Sequence, residues 1–393
     1  MIVAGGIYRE ECLVPEWSRI FGSGGRAAVA ASGLVDKVDL HSYACGEWIE
    51  DVRRSFEGLG IGADLTQIEP DICFRYLHPL SRPDLSPTPV PKANSIRAEA
   101  SAVLRFGFAE GDAIVNADRA VYDPQHWTEV LNFHRNGSTA RELAIVLNET
   151  ELRQTTGQEG SAAIQTLTEQ SQAAIVVVKR GPFGATVAYG GEEFQIPAFK
   201  SESIFKIGSG DVFSAVFACL WAEHNANPVE AAHSASKAVS AYVSSKDARI
   251  DKSLRPSGPP VIARGTIGPI YLAGPFFSLS QRWLIEETLS VLSDMGATVF
   301  SPLHDVGKGG SVHHIAQHDL DGLRESRAVL AMIDGEDPGT LFEVGYARSR
   351  NIPVVAFVES SAIENLTMLE GSGCHIARDY CAAIYHSIWA AAE

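Results

Sequence analysis

The sequence predicts an α/β protein of two domains, each built on a layered and largely parallel sheet. Three observations predict it. Apolar runs of strand length occur without polar alternation, helical stretches alternate with them, and one segment broken by proline and glycine interrupts the alternation near residue 250.

In chain order, Asp112–Ala117 and Ala144–Leu147 read as short buried strands. Ala174–Lys179 (AIVVVK) is a continuous apolar run, as expected of a strand covered on both faces. Gly181–Gly184 makes a turn, Ala185–Tyr189 reads as the next strand, and Ser209–His224 is strongly helical. His78–Pro91 holds five prolines and little periodicity, so it reads as a loop, either an excursion or a lid. From Asp247 to Gly268, charge, Pro256, Pro259, Pro260 and three glycines break every pattern, which reads as a linker. The expected domains are therefore residues 1–252 and 268–393, joined by 253–267. Beyond the linker, strands at Pro269–Ala273, Ala297–Ser301, Ala328–Ile333 and Pro353–Val358 alternate with helices at Leu279–Met295, Val312–Glu325 and Thr340–Arg350. That order predicts a doubly wound sheet of about five strands, with ligands at the strand carboxyl ends.

Composition bounds the function. A 393-residue chain exceeds one domain of roughly 150 residues. The formal charge of −16 and the lack of a Lys/Arg cluster argue against a nucleic-acid polymer as partner, while free nucleosides or nucleotides stay open. The six cysteines form no CxxC pair, which suits reduced thiols and a cytoplasmic setting. No basic, long apolar leader begins the sequence, and no apolar run reaches the roughly 20 residues of a membrane helix, so no membrane partner is expected.

Three segments stand at strand ends in the second domain: YLAGPFF (Tyr271–Phe277), HDLDGL (His318–Leu323) and DGEDPGTLFEVGYA (Asp334–Ala347). In the last, a buried strand runs into an acidic turn, and Glu343 follows near the start of a helix, where the macrodipole favours a carboxylate. Converging carboxylates suit glycosidic chemistry, one attacking the anomeric carbon and another managing protons. The same acids also suit a plain helix cap, and spacing alone leaves both readings standing.

Together these segments resemble the nucleoside 2-deoxyribosyltransferase family over most of Ile270 to Met368. The resemblance implies a flavodoxin-like fold and a covalent ribosyl–enzyme intermediate, with no cofactor in this domain. It places the nucleophile at Glu343, a tyrosine that holds it at Tyr271, a sugar-contacting aspartate at Asp319 and a base-contacting aspartate at Asp337. Gly274 and Phe276 fall on the substrate side. It also implies an asparagine lent by a neighbouring subunit, for which Asn365 stands in place, and hence a homo-oligomer, at least a dimer. Ser278, Ser280 and Arg282 open a helix, where a 5′-phosphate or a simple cap are both tenable. His313, His314 and His318 lack a clear third ligand, so no metal is expected there. Whether water or a second base accepts the sugar is left open.

In the first domain, KIGSGDVFSAVFACLWA (Lys206–Ala222) turns through Gly208, Ser209 and Gly210 into a long apolar helix. Such a turn aims backbone N–H groups at an anion, and Asp211 beyond it could take a proton from a hydroxyl. This segment resembles the DTxGAGDxF signature of the ribokinase (PfkB) family of sugar and nucleoside kinases. VVVKRGPFGATVAY, with Lys179, Gly181 and Gly184, resembles its strand–GxxG–strand, and LNETE, with Asn148 and Glu151, its NxxE motif. GSGGRAAVAASGL (Gly22–Leu34) resembles its substrate-side glycine segment. The resemblance spans roughly residues 1–250 and implies a three-layer α/β/α fold with ATP and Mg²⁺. Departures accompany it: Phe205 and Lys206 replace the signature's opening Asp-Thr, and Ala28–Val29 replace the substrate-side asparagine. Arg9–Glu11 stand where an early aspartate is usual. An active kinase and a catalytically altered ligand sensor both remain open.

Overall fold

In the computed structural model, which describes residues 1–125, 132–262, 267–307, 310–360 and 366–393, the chain folds into two compact units. Met1–Lys200 with Phe205–Pro260 form the first, and Ser201–Ile204 with Val261–Glu393 form the second. Residues 201–204, expected with the first domain, thus belong to the second.

The first unit begins with β1 (Ile2–Ala4), β2 (Arg9–Cys12) and β3 (Trp17–Ile20), then α1 (Gly22–Ser32), β4 (Val38–Cys45), α2 (Ile49–Gly58) and β5 (Ile61–Ile68). It continues with β6 (Cys73–Tyr76), β7 (Asp84–Ser86), β8 (Ile96–Phe106), β9 (Ala113–Asp123) and β10 (Thr139–Asn148). It ends with α3 (Glu149–Thr156), α4 (Gly160–Ser171), β11 (Ile175–Lys179), β12 (Ala185–Tyr189), β13 (Glu192–Ile196), α5 (Ser209–Ala218) and α6 (Pro228–Ser245). Nine strands form one sheet in the order β13-β12-β11-β10-β9-β8-β1-β4-β5. All its pairs are parallel except β11–β12 and β12–β13.

Side chains alternate across this sheet. Ile2, Val103, Leu143, Ile145, Val176 and Val178 face one way and pack with Leu152 of α3 and Ile164 and Leu167 of α4. Val3, Leu104, Val121, Val146 and Val177 have the opposite parity and are equally buried, so the second face is covered too. α1 and α5 pack against β1, β4, β8 and β9. This is the three-layer α/β/α arrangement.

Two first-unit expectations are corrected. The proline-rich stretch read as a loop supplies β7, which pairs with β6 in a separate four-stranded sheet ordered β3-β2-β6-β7. Its residues, Asp84–Ser86, are largely exposed, so no apolar pattern marked the strand. The helix expected over Ser209–His224 is α-helical only to Ala218 and widens to a π-turn over Cys219–Glu223.

The second unit runs β14 (Ile270–Ala273), α7 (Leu279–Asp294), β15 (Val299–Phe300), α8 (Val312–Glu325), β16 (Ala328–Met332), α9 (Pro338–Ser349), β17 (Val354–Phe357), α10 (Thr367–Gly371), β18 (His375–Ala377) and α11 (Tyr380–Ala392). Its sheet is ordered β15-β14-β16-β17-β18, and every pair is parallel. In the unit's own count this is 2-1-3-4-5, the flavodoxin-like order, whose topological switch point lies between the first and third strands. β18 and α11 were not anticipated. Three residues are too few to show periodicity, and α11 is apolar nearly all round because most of it is buried. All six cysteines are reduced and buried. Among the described residues, no helix is long and apolar enough to cross a membrane.

Candidate active sites

The switch point of the second unit, between β14 and β16, brings together residues from four elements. Tyr271 lies in β14, fully buried, with its ring stacked on Phe300 of β15 at 5.4 Å between centroids. Gly322 of α8 packs against the same phenyl ring, where a Cβ would stand 2.5 Å from it. That close approach seats α8 over the strand ends and carries half-buried Asp319 with it. β16 runs into a turn where Gly335 and Glu336 both take positive φ. The turn delivers Asp337 as the N-cap of α9, and Glu343 stands about one and two-thirds turns further along that helix.

The Tyr271 hydroxyl donates to Glu343 Oε1 at 2.7 Å. Burial pushes the Glu343 carboxyl up to about 7; the Tyr271 hydrogen bond opposes the rise, while Asp319 and Asp337 add to it. Burial also raises Asp319, whose Oδ1 is buried without a hydrogen-bond partner. A buried, unpaired carboxylate oxygen costs free energy that a ligand hydroxyl could recover. Asp337 accepts from the Thr340 N–H at 2.7 Å and from its hydroxyl at 2.9 Å, all through Oδ2. It therefore caps α9, and Oδ1 is not used in those bonds. Asp334 of the same turn accepts from Glu359 and Ser360 and ties the turn to the end of β17.

Of the flanking residues, Gly274 packs against Ile285 and Met332, where a Cβ would meet atoms at 2.8 and 3.0 Å respectively. Phe276 lies 5.3 Å, ring to ring, from Phe277. Ser278 caps α7 in a reciprocal box with Gln281 and sits 3.1 Å from Ser280, and Arg282 is exposed on the same helix. Asn365 lies outside the described residues. His314 and His318 are exposed, 4.2 Å apart ring to ring, and belong to no three-ligand group among the described residues.

In the first unit, Gly208 takes a left-handed conformation and caps α5, whose first turn holds Ser209, Gly210 and Asp211. The N–H groups of a first helical turn have no partner within the helix. Two cations flank this turn. Lys179, at the end of β11, stands 3.4 Å from where a Gly210 Cβ would be and bonds Asp123 at 2.6 Å. Gly181 and Gly184 follow in the β11–β12 connection, both at positive φ; a Gly184 Cβ would meet the Ile196 carbonyl at 2.0 Å. Asn148 and Glu151 bond one another's backbone as the capping box of α3.

Arg26, the second cation, is the residue that sequence reasoning missed. It is fully buried in α1 and donates to Asp211 Oδ2 at 2.6 Å and to Glu10. A Cβ on Gly208 would lie 2.1 Å from its Nε, so the guanidinium rests against the Gly-Ser-Gly turn. Gln125 holds the other Asp211 oxygen at 2.8 Å. Burial pushes Asp211 up to about 6 while Arg26 pulls it down. The segment Arg9–Glu11 supplies Glu10 as a buried counter-ion. Phe205, where the kinase signature begins with an aspartate, is buried against Trp17, with Lys246 over its ring at 5.0 Å. Nothing at that position offers a carboxylate to a monovalent cation.

Comparison with known proteins agrees with this division. Residues 270–375 match the family model described as nucleoside 2-deoxyribosyltransferase, and residues 139–254 match that of the pfkB family carbohydrate kinases. No curated protein matches the chain. An Agrobacterium tumefaciens protein assigned as a ribokinase aligns at 14% identity and a TM-score of 0.50, over 64% of this chain and 95% of its own. The fructokinase of Vibrio cholerae O395, solved with fructose, ADP and calcium ion, aligns at 14% identity and 0.48, over 65% and 96%. The Thermotoga maritima ribokinase aligns at 15% and 0.46, over 64% and 96%. At such identities the likeness speaks to fold alone.

Proposed function

We propose, for a chain that carries a pfkB-family match up to residue 254 and a nucleoside 2-deoxyribosyltransferase match from residue 270, that the second unit breaks N-glycosidic bonds of nucleosides or their 5′-monophosphates through Glu343. Both matched families are enzymes that act on small molecules. The observation that carries the reading is the 2.7 Å bond from Tyr271 to Glu343 at the switch point of a 2-1-3-4-5 sheet. A phenol that donates to one carboxylate oxygen fixes the rotamer and leaves the other oxygen to attack.

In this reading Glu343 forms an ester bond to C1′ as the C1′–N bond breaks, and the electron pair leaves with the base. Asp319 binds a sugar hydroxyl through its unpaired Oδ1. Asp337, held by its Thr340 contacts, donates a proton to the departing base through Oδ1. Water or a second base then attacks C1′, the ester bond to Glu343 breaks, and the nucleophile's proton passes to the Asp337 carboxylate. Gly274 and Phe276 bound the substrate, and Ser278 with Arg282 receive a 5′-phosphate if one is present. Asn365 belongs to the same proposal as a residue lent across a homo-oligomer. The exposed apolar side chains of Phe277, Leu279, Val312, Phe342 and Met368 support association of this unit. The test is product analysis by mass spectrometry on a nucleoside and nucleotide panel. Free base is expected from the native chain and none from Glu343→Ala; equal release from both would end the proposal.

For the first unit, one observation favours the altered sensor over the active kinase. The group that would take the acceptor's proton, Asp211, is bonded on both oxygens, to Arg26 and Gln125. Asn148 and Glu151, which the resemblance assigns to magnesium and phosphate, are bonded to each other. The Gly208–Gly210 turn and Lys179 still suit a nucleotide phosphate, so ATP fits this turn, while the acceptor base and the pair assigned to magnesium are already engaged. Bound ATP would bring the phosphate charge, which the N–H groups of the turn and Lys179 would hold. Under this reading ATP raises the melting temperature, no phosphorylated nucleoside or sugar forms, and Asp211→Asn releases base at the native rate. Phosphoryl transfer to any member of the panel would restore the kinase reading.

A further inference from the structure

Ser201–Ile204 belongs to the second unit although the residues before and after it belong to the first. Hydrogen bonds among the described residues fasten it there. The Ile204 N–H donates to Asp379 Oδ2 at 3.4 Å, and the Ser201 carbonyl lies 3.0 Å from His386 Nε2. Between them, Glu202 is exposed, while His375 of β18 and His386 of α11 are half-buried with ring centroids 4.0 Å apart. One ligand atom from each of Glu202, His375 and His386 lies within 4.8 Å of the other two.

We propose that these three side chains bind one divalent transition-metal ion of the zinc class. Two imidazoles and a carboxylate form a donor set that borderline ions prefer, whereas magnesium and calcium take oxygen. Metal–ligand bonds of about 2.0–2.2 Å require donor atoms closer than 4.8 Å, and an exposed glutamate can rotate to close the remainder. The contact between His386 and the Ser201 carbonyl matches a recurrent outer-shell pattern, in which a backbone oxygen takes an imidazole N–H and orients the ring. Three protein ligands leave the fourth tetrahedral position to water. β18 is separated from β14 by β16 and β17, so the ion has no part in the chemistry proposed for Glu343. Its effect is to clip Ser201–Ile204 to β18 and α11, and binding free energy then adds to the stability of that region.

The test uses untagged full-length protein stripped with chelator and titrated with zinc chloride, and with cobalt(II) for its visible spectrum. One ion per chain is expected, with cobalt bands of low coordination number. His375→Ala, His386→Ala and Glu202→Gln should each weaken binding by about tenfold or more. Zinc should raise the melting temperature of the native chain and not that of the variants. Equal melting of all four proteins in chelator would establish that the variants fold. The inference is overturned if no ion is taken up, or if the His375→Ala/His386→Ala double variant keeps the native stoichiometry. It is equally overturned if the loss follows His314→Ala/His318→Ala instead.

Discussion

At the scale of single residues, Glu343 sets the pH behaviour. Its acid constant is displaced from about 4.5 to about 7. Between those values the folded chain holds a proton that the unfolded chain has released, so this group's contribution to stability falls as pH rises through the window. Catalysis runs the other way, because the nucleophile must be ionised. kcat/KM for base release should therefore climb with pH, with a midpoint near 7. Tyr271→Phe removes the hydrogen bond that lowers the constant, so the climb should move up by about one pH unit, and a midpoint that stays put would argue against the contact. Glu343→Ala should cut kcat on the order of a thousandfold or more. Arg26 answers to the other site. Arg26→Ala leaves Glu10 and Asp211 buried without their cation and should cost about 3–5 kcal/mol in urea unfolding. Sequence reasoning reached Glu343 and Tyr271 because local segments carry them. It could not reach the Arg26–Asp211 pair, whose partners are 185 positions apart.

At the scale of elements, α9 makes Asp337 do two jobs that substitution can separate. Asparagine caps a helix about as well as aspartate but cannot donate a carboxyl proton. Asp337→Asn should therefore melt within about 0.5 kcal/mol of the native chain while kcat falls, whereas Asp337→Ala should lose about 1 kcal/mol as well. If Asp337→Asn keeps full turnover, the residue is a cap and nothing more. Most helices and strands of the second unit were legible because β14, β16 and β17 are apolar runs covered on both faces, with helices of clear period between them. The four-stranded sheet of the first unit was not, since β3 and β7 face solvent and are too short to show a period.

At the scale of the whole molecule, the alternation of strands and helices announced two α/β bodies, and strand order followed only from the structure. The placement of Ser201–Ile204 had no sequence signal, because four residues carry no period and their partners lie beyond residue 370. The thiols offer a way to watch the two bodies separately. Cys12, Cys45, Cys73 and Cys219 belong to the first and Cys374 and Cys381 to the second, all buried. An alkylating reagent therefore reaches each sulfur only when its surroundings open. A timed pulse of such a reagent along a urea gradient, read peptide by peptide, becomes a pair of internal clocks. The two sets of peptides should acquire label at different denaturant concentrations if the bodies come apart independently, and at one concentration if they open together.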